Sequence, residues 1–293
     1  TTTVSAGILQ IGNGGTTGTL GTGNVVNNAS LVFNRSNTGT FANLISGSGT
    51  LKQAGAGNTV LTARNTYTGA TTIDAGTLTL ENDLPSLSSS LYSGNGLLVI
   101  QSSSASFSSA FTLDNSKFTS SIGGLTVGKA GNSTKIILNA NVTTGGNQSY
   151  YGPVEVGADV VLTSTNADLI ISGSIAPDSD NVRTLTMNAL NGYITLGADI
   201  GSTSKRFYNL VMNAGGMKIN RDTGFYVSND VMMNFPIIKD SGPDATLTIK
   251  AGRHISFGSN TSITSTYNKL NVLMDADTGR TGNGIIQYLG SQI

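Results

Sequence analysis

The 293-residue chain has no cysteine, no tryptophan, one histidine and five prolines, and only 11 % of its residues are charged. Zero cysteine excludes disulfides and thiolate metal centres, but leaves the compartment open. A single imidazole confines any histidine chemistry to His254. Sixteen basic and sixteen acidic residues cancel, which removes the electrostatic reason to bind nucleic acid or an anionic membrane. Ordinary soluble domains carry about 25 % charge, and so little of it suggests a membrane protein. Yet no run of about 18 apolar residues is available to span a bilayer, and mean hydropathy is only +0.02. The chain opens on TTTVSAG without a basic-plus-apolar leader and stops at GSQI, so it reads as a piece of a longer protein.

Polarity comes instead from Thr, Ser and Asn. The 38 glycines are about twice the usual share of roughly 7 %, and they are scattered, which excludes a collagen period. In residues 63–82, ARNTYTGATTIDAGTLTLEN, Leu78 and Leu80 alternate with Thr77 and Thr79. That period of two puts Leu on one face of a strand and Thr on the other. Thr71, Thr72 and Ile73 are β-branched and favour extended backbone. Gly69 and Gly76 supply corners. The stretch predicts a short strand, a corner and a second short strand, with no helix.

The same pattern recurs. SAGILQIGN (5–13) matches DAGTLTLEN (74–82) at an offset of 69, or three times 23. RTLTMNALNGYITLG (183–197) is followed by YNLVMNAGGMKIN (208–220), with Leu185 and Leu210, and Asn188 and Asn213, each 25 apart. ATLTIKAGRHISFG (245–258) aligns as a third copy after one deletion, and KIILNANVTT (135–144) sets Asn139 two units before Asn188. A period of roughly 20–25 residues without helix-forming composition predicts an all-β solenoid, right- or left-handed, each turn seated on the last at about 4.8 Å. At about 24 residues per turn this gives roughly 12 turns and an elongated rod on the order of 55–60 Å long. Low charge fits, because like charges stacked on successive turns repel. Three stretches differ in texture: regular repeats over 1–82, irregular Ser-rich turns over 83–121, and repeats again over 122–293. The expectation is one continuous coil over 1–293.

Asn65, Tyr67, Gly69, Thr71, Ile73, Gly76, Thr77, Leu78 and Leu80 spell a pattern that resembles the repeat of bacterial autotransporter passengers. QSYYGPVEVGADVVLTST (148–165) and TLTIKAGRHISFGSNTSITSTYNKLNVLMDAD (246–277) are similar to stretches of filamentous haemagglutinin-type adhesins. The resemblance implies a right-handed parallel β-helix of a type V secreted adhesin, exported through an outer-membrane β-barrel translocator to the bacterial surface or beyond. It implies a shaft or adhesive passenger attaching to a host receptor, glycan, matrix protein or other bacteria. A neighbouring copy of the chain is a second candidate partner, for aggregation or filaments. A polysaccharide-degrading β-helix is a third reading, and ice binding through the Thr77/Thr79 row a fourth.

The residues that could carry chemistry are few, and each has a plainer reading. His254 lies in strand-like GRHISF without an evident nucleophile beside it. GGLTVGKA (123–130) approaches a phosphate loop through Gly123, Gly128 and Lys129, but Ala130 stands where the Mg²⁺-binding hydroxyl belongs. Asp275, Asp277 and Gly279 suggest a calcium loop without its later Glu. Asp178 and Asp180 could pair as sugar-hydrolase carboxylates, although Pro177 favours a corner. Lys205 and Arg206 beside Phe207 and Tyr208 form the densest basic-aromatic spot. Six sequons stand at Asn28, Asn34, Asn132, Asn141, Asn147 and Asn260. The reading is no catalytic residue, no cofactor and no metal.

Overall fold

The computed structural model describes residues 1–82, 87, 89, 91–119, 122–278, 282 and 284–288. Part of the Ser-rich stretch and Gly279 therefore lie outside the described residues. The chain divides into two compact units: residues 1–134 with 144–146, and residues 135–143 with 147–293.

In the first unit the chain visits three sheets in turn. One holds Thr2–Val4, Val25–Asn27 and Ile45–Ser46. The second stacks Ile8–Ile11, Ser30–Phe33, Thr50–Gln53, Thr71–Ile73 and Tyr92–Ser93. The third stacks Gly39–Phe41, Asn58–Leu61, Thr77–Glu81, Leu97–Gln101 and Gly124–Val127. Neighbouring strands are parallel and in register, which makes a three-sided parallel β-solenoid. One turn carries Leu31 onto Leu51, and the next carries Leu51 onto Thr71. Inward aliphatics form columns. Leu61, Leu80, Ile100 and Val127 lie in register and are buried. Burying each such side chain is worth about 1.5–3 kcal/mol.

The motif residues of 65–76 hold a corner together. Asn65 is buried, and its Oδ1 accepts the Ile45 N–H at 2.8 Å, standing in for a backbone carbonyl. Tyr67 is fully buried with its hydroxyl 2.9 Å from the Thr71 Oγ1. Gly69 stacks on Gly49, where a Cβ would overlap the Gly49 carbonyl oxygen. Gly76 has φ +61°, and a Cβ there would collide with the Gly57 oxygen.

The second unit repeats the three-sided plan. Ile136–Leu138, Val154–Val156, Ile175–Pro177, a bridge at Ile200, Thr223–Tyr226, Ala245–Ala251 and Leu270–Ala276 form one side. Val160–Ser164, the first halves of Thr184–Leu196 and Asn209–Lys218, Val231–Asn234, His254–Phe257 and Ile285–Tyr288 form the next. The third carries Gln148–Tyr150, Leu169–Ile171, the second halves of the two long strands, Ile237–Lys239 and Ile263–Ser265. Buried polar side chains satisfy the inner corners. The Gln148 Nε2 donates to the Val142 and Thr163 carbonyls (3.3 and 3.2 Å), and the Tyr150 hydroxyl donates to the Gln148 Oε1 (3.0 Å). Burial pushes the Tyr150 phenol pKa up. Lys239 is fully buried with its Nζ donating to the Ser241 and Gly242 carbonyls.

The solenoid is as expected, and the spacing of 25 is a true rung: Leu185 pairs with Leu210 and Asn188 with Asn213. An outward amide ladder runs along it. The Asn213 Nδ2 donates to the Asn188 Oδ1 (2.8 Å), and the Asn188 Nδ2 to the Thr163 Oγ1 (3.2 Å).

Three spacings need correction. Leu9 reaches Thr71 in three turns, through Leu31 and Leu51. Leu78 therefore stands one side further on, in another sheet, and the offset between the two matching words is three turns plus a side. Asn139 follows Ile136–Leu138 and is not in the Asn188 row. Ala245–Ala251 lies on the first side of its unit, whereas Thr184–Ala189 lies on the second. All three sides use the same inward-aliphatic, outward-polar code, so sequence words recur between sides as well as between turns. Thr79 lies on the face opposite Leu78 and Leu80 but is buried there, with its Oγ1 donating to the Asn58 Oδ1 at 2.9 Å, so Thr77 and Thr79 form no exposed row.

Among the described residues the only helical turn is a 3₁₀ turn at Asn115–Lys117. No helix among the described residues is long and apolar enough to cross a membrane.

Candidate functional site

In the second unit, the corner between the first and second sides is short on most turns. It spans 139–141, 157–159, 227–230 and 252–253, but widens to 178–183 and 201–208 on two successive turns and to the eight positions between Ala276 and Ile285 on the last. Ordering extra chain costs about 1–2 kcal/mol per residue in backbone entropy, and such loops are where function concentrates.

The widened corner is itself paired. The Asn181 N–H donates to the Arg206 carbonyl (2.8 Å) and the Tyr208 N–H to the Arg183 carbonyl (2.7 Å). The Ser228 and Asn229 N–H groups donate to the Phe207 and Tyr208 carbonyls at 2.8 and 2.9 Å. Phe207 is fully buried and bridges Val227, pinning the loop to the core. Asn181 takes φ +63°, a left-handed turn that Asn tolerates.

Charge is concentrated here in opposite-sign pairs. Arg183 grips Asp178 through Nε and Nη2, both at 2.9 Å. Arg206 grips Asp180 one turn away, at 3.1 and 2.8 Å. Arg253 holds Asp230 in the same way. Lys135 and Lys205 both approach Glu155, at 2.7 and 3.7 Å. The carboxyls of Asp178, Asp180 and Asp230 are held below the usual carboxylate range by the hydrogen bonds from their arginines, against a smaller opposing effect of burial. The same bonds raise the three guanidinium pKa values. The same two loops carry two exposed apolar side chains, Val182 at 52 % and Tyr208 at 45 %.

This arrangement decides the chemistry open to Asp178 and Asp180. A glycoside-cleaving pair needs one carboxyl raised to act as an acid. Here both are lowered and each is occupied by its own arginine. Lys205 and Arg206 are likewise engaged with acids. Such a surface can hydrogen-bond and stack, as donor, acceptor and ring.

The other candidates are accounted for locally. Gly124–Val127 is a core strand, Gly128 a corner at φ +80°, and the Lys129 Nζ donates to the Ser103 carbonyl at 3.2 Å. The His254 N–H donates to the Asp230 Oδ1 (3.2 Å), while its buried Nδ1 meets no partner among the described residues. Asp275 is exposed in the Leu270–Ala276 strand, and the Asp277 Oδ2 accepts the Gly282 N–H at 2.6 Å. No group of three metal-ligating side chains occurs among the described residues. Of the sequons, Asn132 is buried with its amide bonded to the Thr134 carbonyl (3.0 Å), whereas Asn28, Asn141, Asn147 and Asn260 are exposed.

The pairing had a signal in the sequence: opposite charges one turn apart. Lys52 and Asp74, Lys218 and Asp240, Asp230 and Arg253, and Asp180 and Arg206 are all offset by close to one turn along the chain, and each couple pairs in space. A family profile described as Passenger-associated-transport-repeat matches residues 51–80, which cover the Asn65–Tyr67 corner and the strands on either side. Over 80 residues the chain is 45 % identical to the adhesin BmaC autotransporter of Brucella suis biovar 1 (strain 1330). Over these residues the chain is similar to passenger sequence of type V secreted adhesins. That alignment covers 27 % of this chain and 2 % of the relative, so the chain spans a small fraction of that protein's length. No solved structure gives a significant match. Passenger sequence of this kind is exported across the outer membrane to the cell surface or beyond. The widened corner at 178–183 and 201–208 lies outside the matched repeat.

Proposed function

We propose that this passenger segment serves attachment, as a stiff scaffold whose lateral corners contact host cells, matrix or other bacteria. The observation that carries this is the 45 % identity to an autotransporter adhesin, and the paired, pre-ordered corner supports it. A surface whose loops are already hydrogen-bonded loses little entropy on binding. The role is non-enzymatic and cofactor-free on this reading, since Asp178 and Asp180 are each tied to an arginine. During export the partner is an outer-membrane β-barrel translocator.

Beads carrying residues 1–293 test the proposal against epithelial cells, immobilised matrix proteins and bacteria. Retention several-fold above bare beads on at least one surface is expected. Retention equal to bare beads on all of them rejects it, and clumping of the beads alone assigns the chain to self-association.

A further inference from the structure

The widened corner has a chemistry of its own. The Tyr208 ring stands on the outer surface, 45 % exposed, while its neighbour Phe207 is buried and fixes the backbone beneath it. Its main chain is locked on both sides, by the N–H bond to the Arg183 carbonyl at 2.7 Å and by the bond its own carbonyl accepts from Asn229 at 2.9 Å. Arg183 therefore lies one turn to one side. Arg253 lies two turns to the other side, its N–H bonded to the Asn229 carbonyl at 2.9 Å, and its guanidinium reaches back one turn to Asp230 beside Asn229.

Each flanking guanidinium is held in plane by a two-point fork to its aspartate. The fork uses two of the five N–H donors of an arginine, and the side chains stay 31 % and 51 % exposed. Donors and acceptors thus reach solvent together beside a fixed aromatic face. The pairing also cancels the local charge, so a polyanion gains from the arginines and loses to the aspartates. A neutral polyol gains from both, because each sugar hydroxyl donates and accepts. The apolar face of a pyranose ring, with its C–H groups, matches the negative face of a tyrosine ring.

We propose that this corner is a recognition site for neutral glycans, with Tyr208 as the stacking platform and the Asp178–Arg183 and Asp230–Arg253 pairs as its hydrogen-bonding rims. The proposal rests on the adhesive reading and gives it a ligand class.

The test is binding of the 1–293 chain to immobilised neutral, sialylated and sulfated oligosaccharides at low and at tenfold higher NaCl, in parallel with bead attachment to cells. Retention of neutral glycans, changing less than about twofold with salt, is expected, since screening acts on net charge. Tyr208→Ala should lower that retention about tenfold and Tyr208→Phe should restore most of it, both with unchanged circular dichroism. Asp178→Ala with Arg183→Ala provides a second variant that removes one rim and leaves the ring, with a loss of about threefold or more expected. Binding confined to sulfated or sialylated glycans and abolished by salt overturns the proposal, as does neutral binding indifferent to Tyr208→Ala. If beads still attach to cells while every glycan fails, the glycan site is rejected and the adhesive reading stands. Failure of both removes the adhesive reading itself.

Discussion

At the scale of single residues, the corner of 65–71 shows what a passenger repeat asks of its side chains. Asn65 completes the hydrogen-bond ladder where the backbone cannot, by accepting the Ile45 N–H. Asn65→Ala leaves that buried donor empty, and an unmet buried group costs about 1–3 kcal/mol. Tyr67→Phe loses the bond to Thr71, about 1 kcal/mol, whereas Tyr67→Ala opens a cavity and should cost about 3–5 kcal/mol. Urea titrations should rank the three variants, mildest to worst, as Tyr67→Phe, Asn65→Ala and Tyr67→Ala. A Tyr67→Phe loss as large as that of Tyr67→Ala would show that the hydroxyl, and not the ring, holds the corner. None of this was readable as mechanism in the sequence. The words Asn65, Tyr67, Gly69 and Thr71 stood out as a pattern, but the pattern does not say that an amide replaces a carbonyl one turn below.

At the scale of strands and corners, the legible part was the two-residue alternation and the spacing of true rungs. Leu185 with Leu210 and Asn188 with Asn213 are aligned in space as they are in sequence. What could not be read was which side of the coil a strand occupies, since Leu9 and Leu78 carry the same word in different sheets. The candidate site was half legible. Asp178, Asp180, Lys205 and Arg206 were singled out as isolated chemistry, while their mutual pairing needed the turn length to be known. Register gives a direct test. Deleting residues 189–213 removes one full rung and joins Asn188 to Ala214, which takes the place of Ala189 in the ladder. That variant should keep a β-type circular dichroism spectrum and a cooperative melt. Deleting 189–208 instead places Leu210 where Leu190 stood, on the exposed face, and turns the inward set outward. It should aggregate or lose its melting transition. Equal behaviour of the two deletions would mean that register does not govern this coil.

The paired corners also set an acid limit. The carboxyls of Asp178, Asp180, Asp230 and Asp240 are all lowered, first by the hydrogen bonds from Arg183, Arg206, Arg253 and Lys218. A group whose pKa is depressed on folding contributes stability that is full above its unfolded value, near 3.9, and lost as pH falls through the folded one. Thermal stability should therefore be flat between about pH 7 and 5 in these terms and fall below about pH 4. Asp180→Asn should flatten part of that fall while changing little at pH 7, because exposed pairs are worth only about 0–1 kcal/mol there. Loss of stability between pH 7 and 5 would point to some other titrating group.

At the scale of the molecule, a chain without cysteine and with 11 % charge secures itself through parallel ladders and aliphatic columns. Within each unit an inner turn rests on the turns before and after it, so stability in such a stack is a sum of nearest-neighbour terms. A cavity should then be felt locally. Leu80 sits in a column between Leu61 and Ile100, and Leu80→Ala should cost about 2–5 kcal/mol. Hydrogen exchange read by mass spectrometry should show lost protection first in Asn58–Leu61 and Leu97–Gln101, the strands paired with Thr77–Glu81. Thr2–Val4, several turns away in the same unit, should change least. Uniform loss across the unit would mean that it opens as one cooperative block, with coupling between turns stronger than the stability of any one of them.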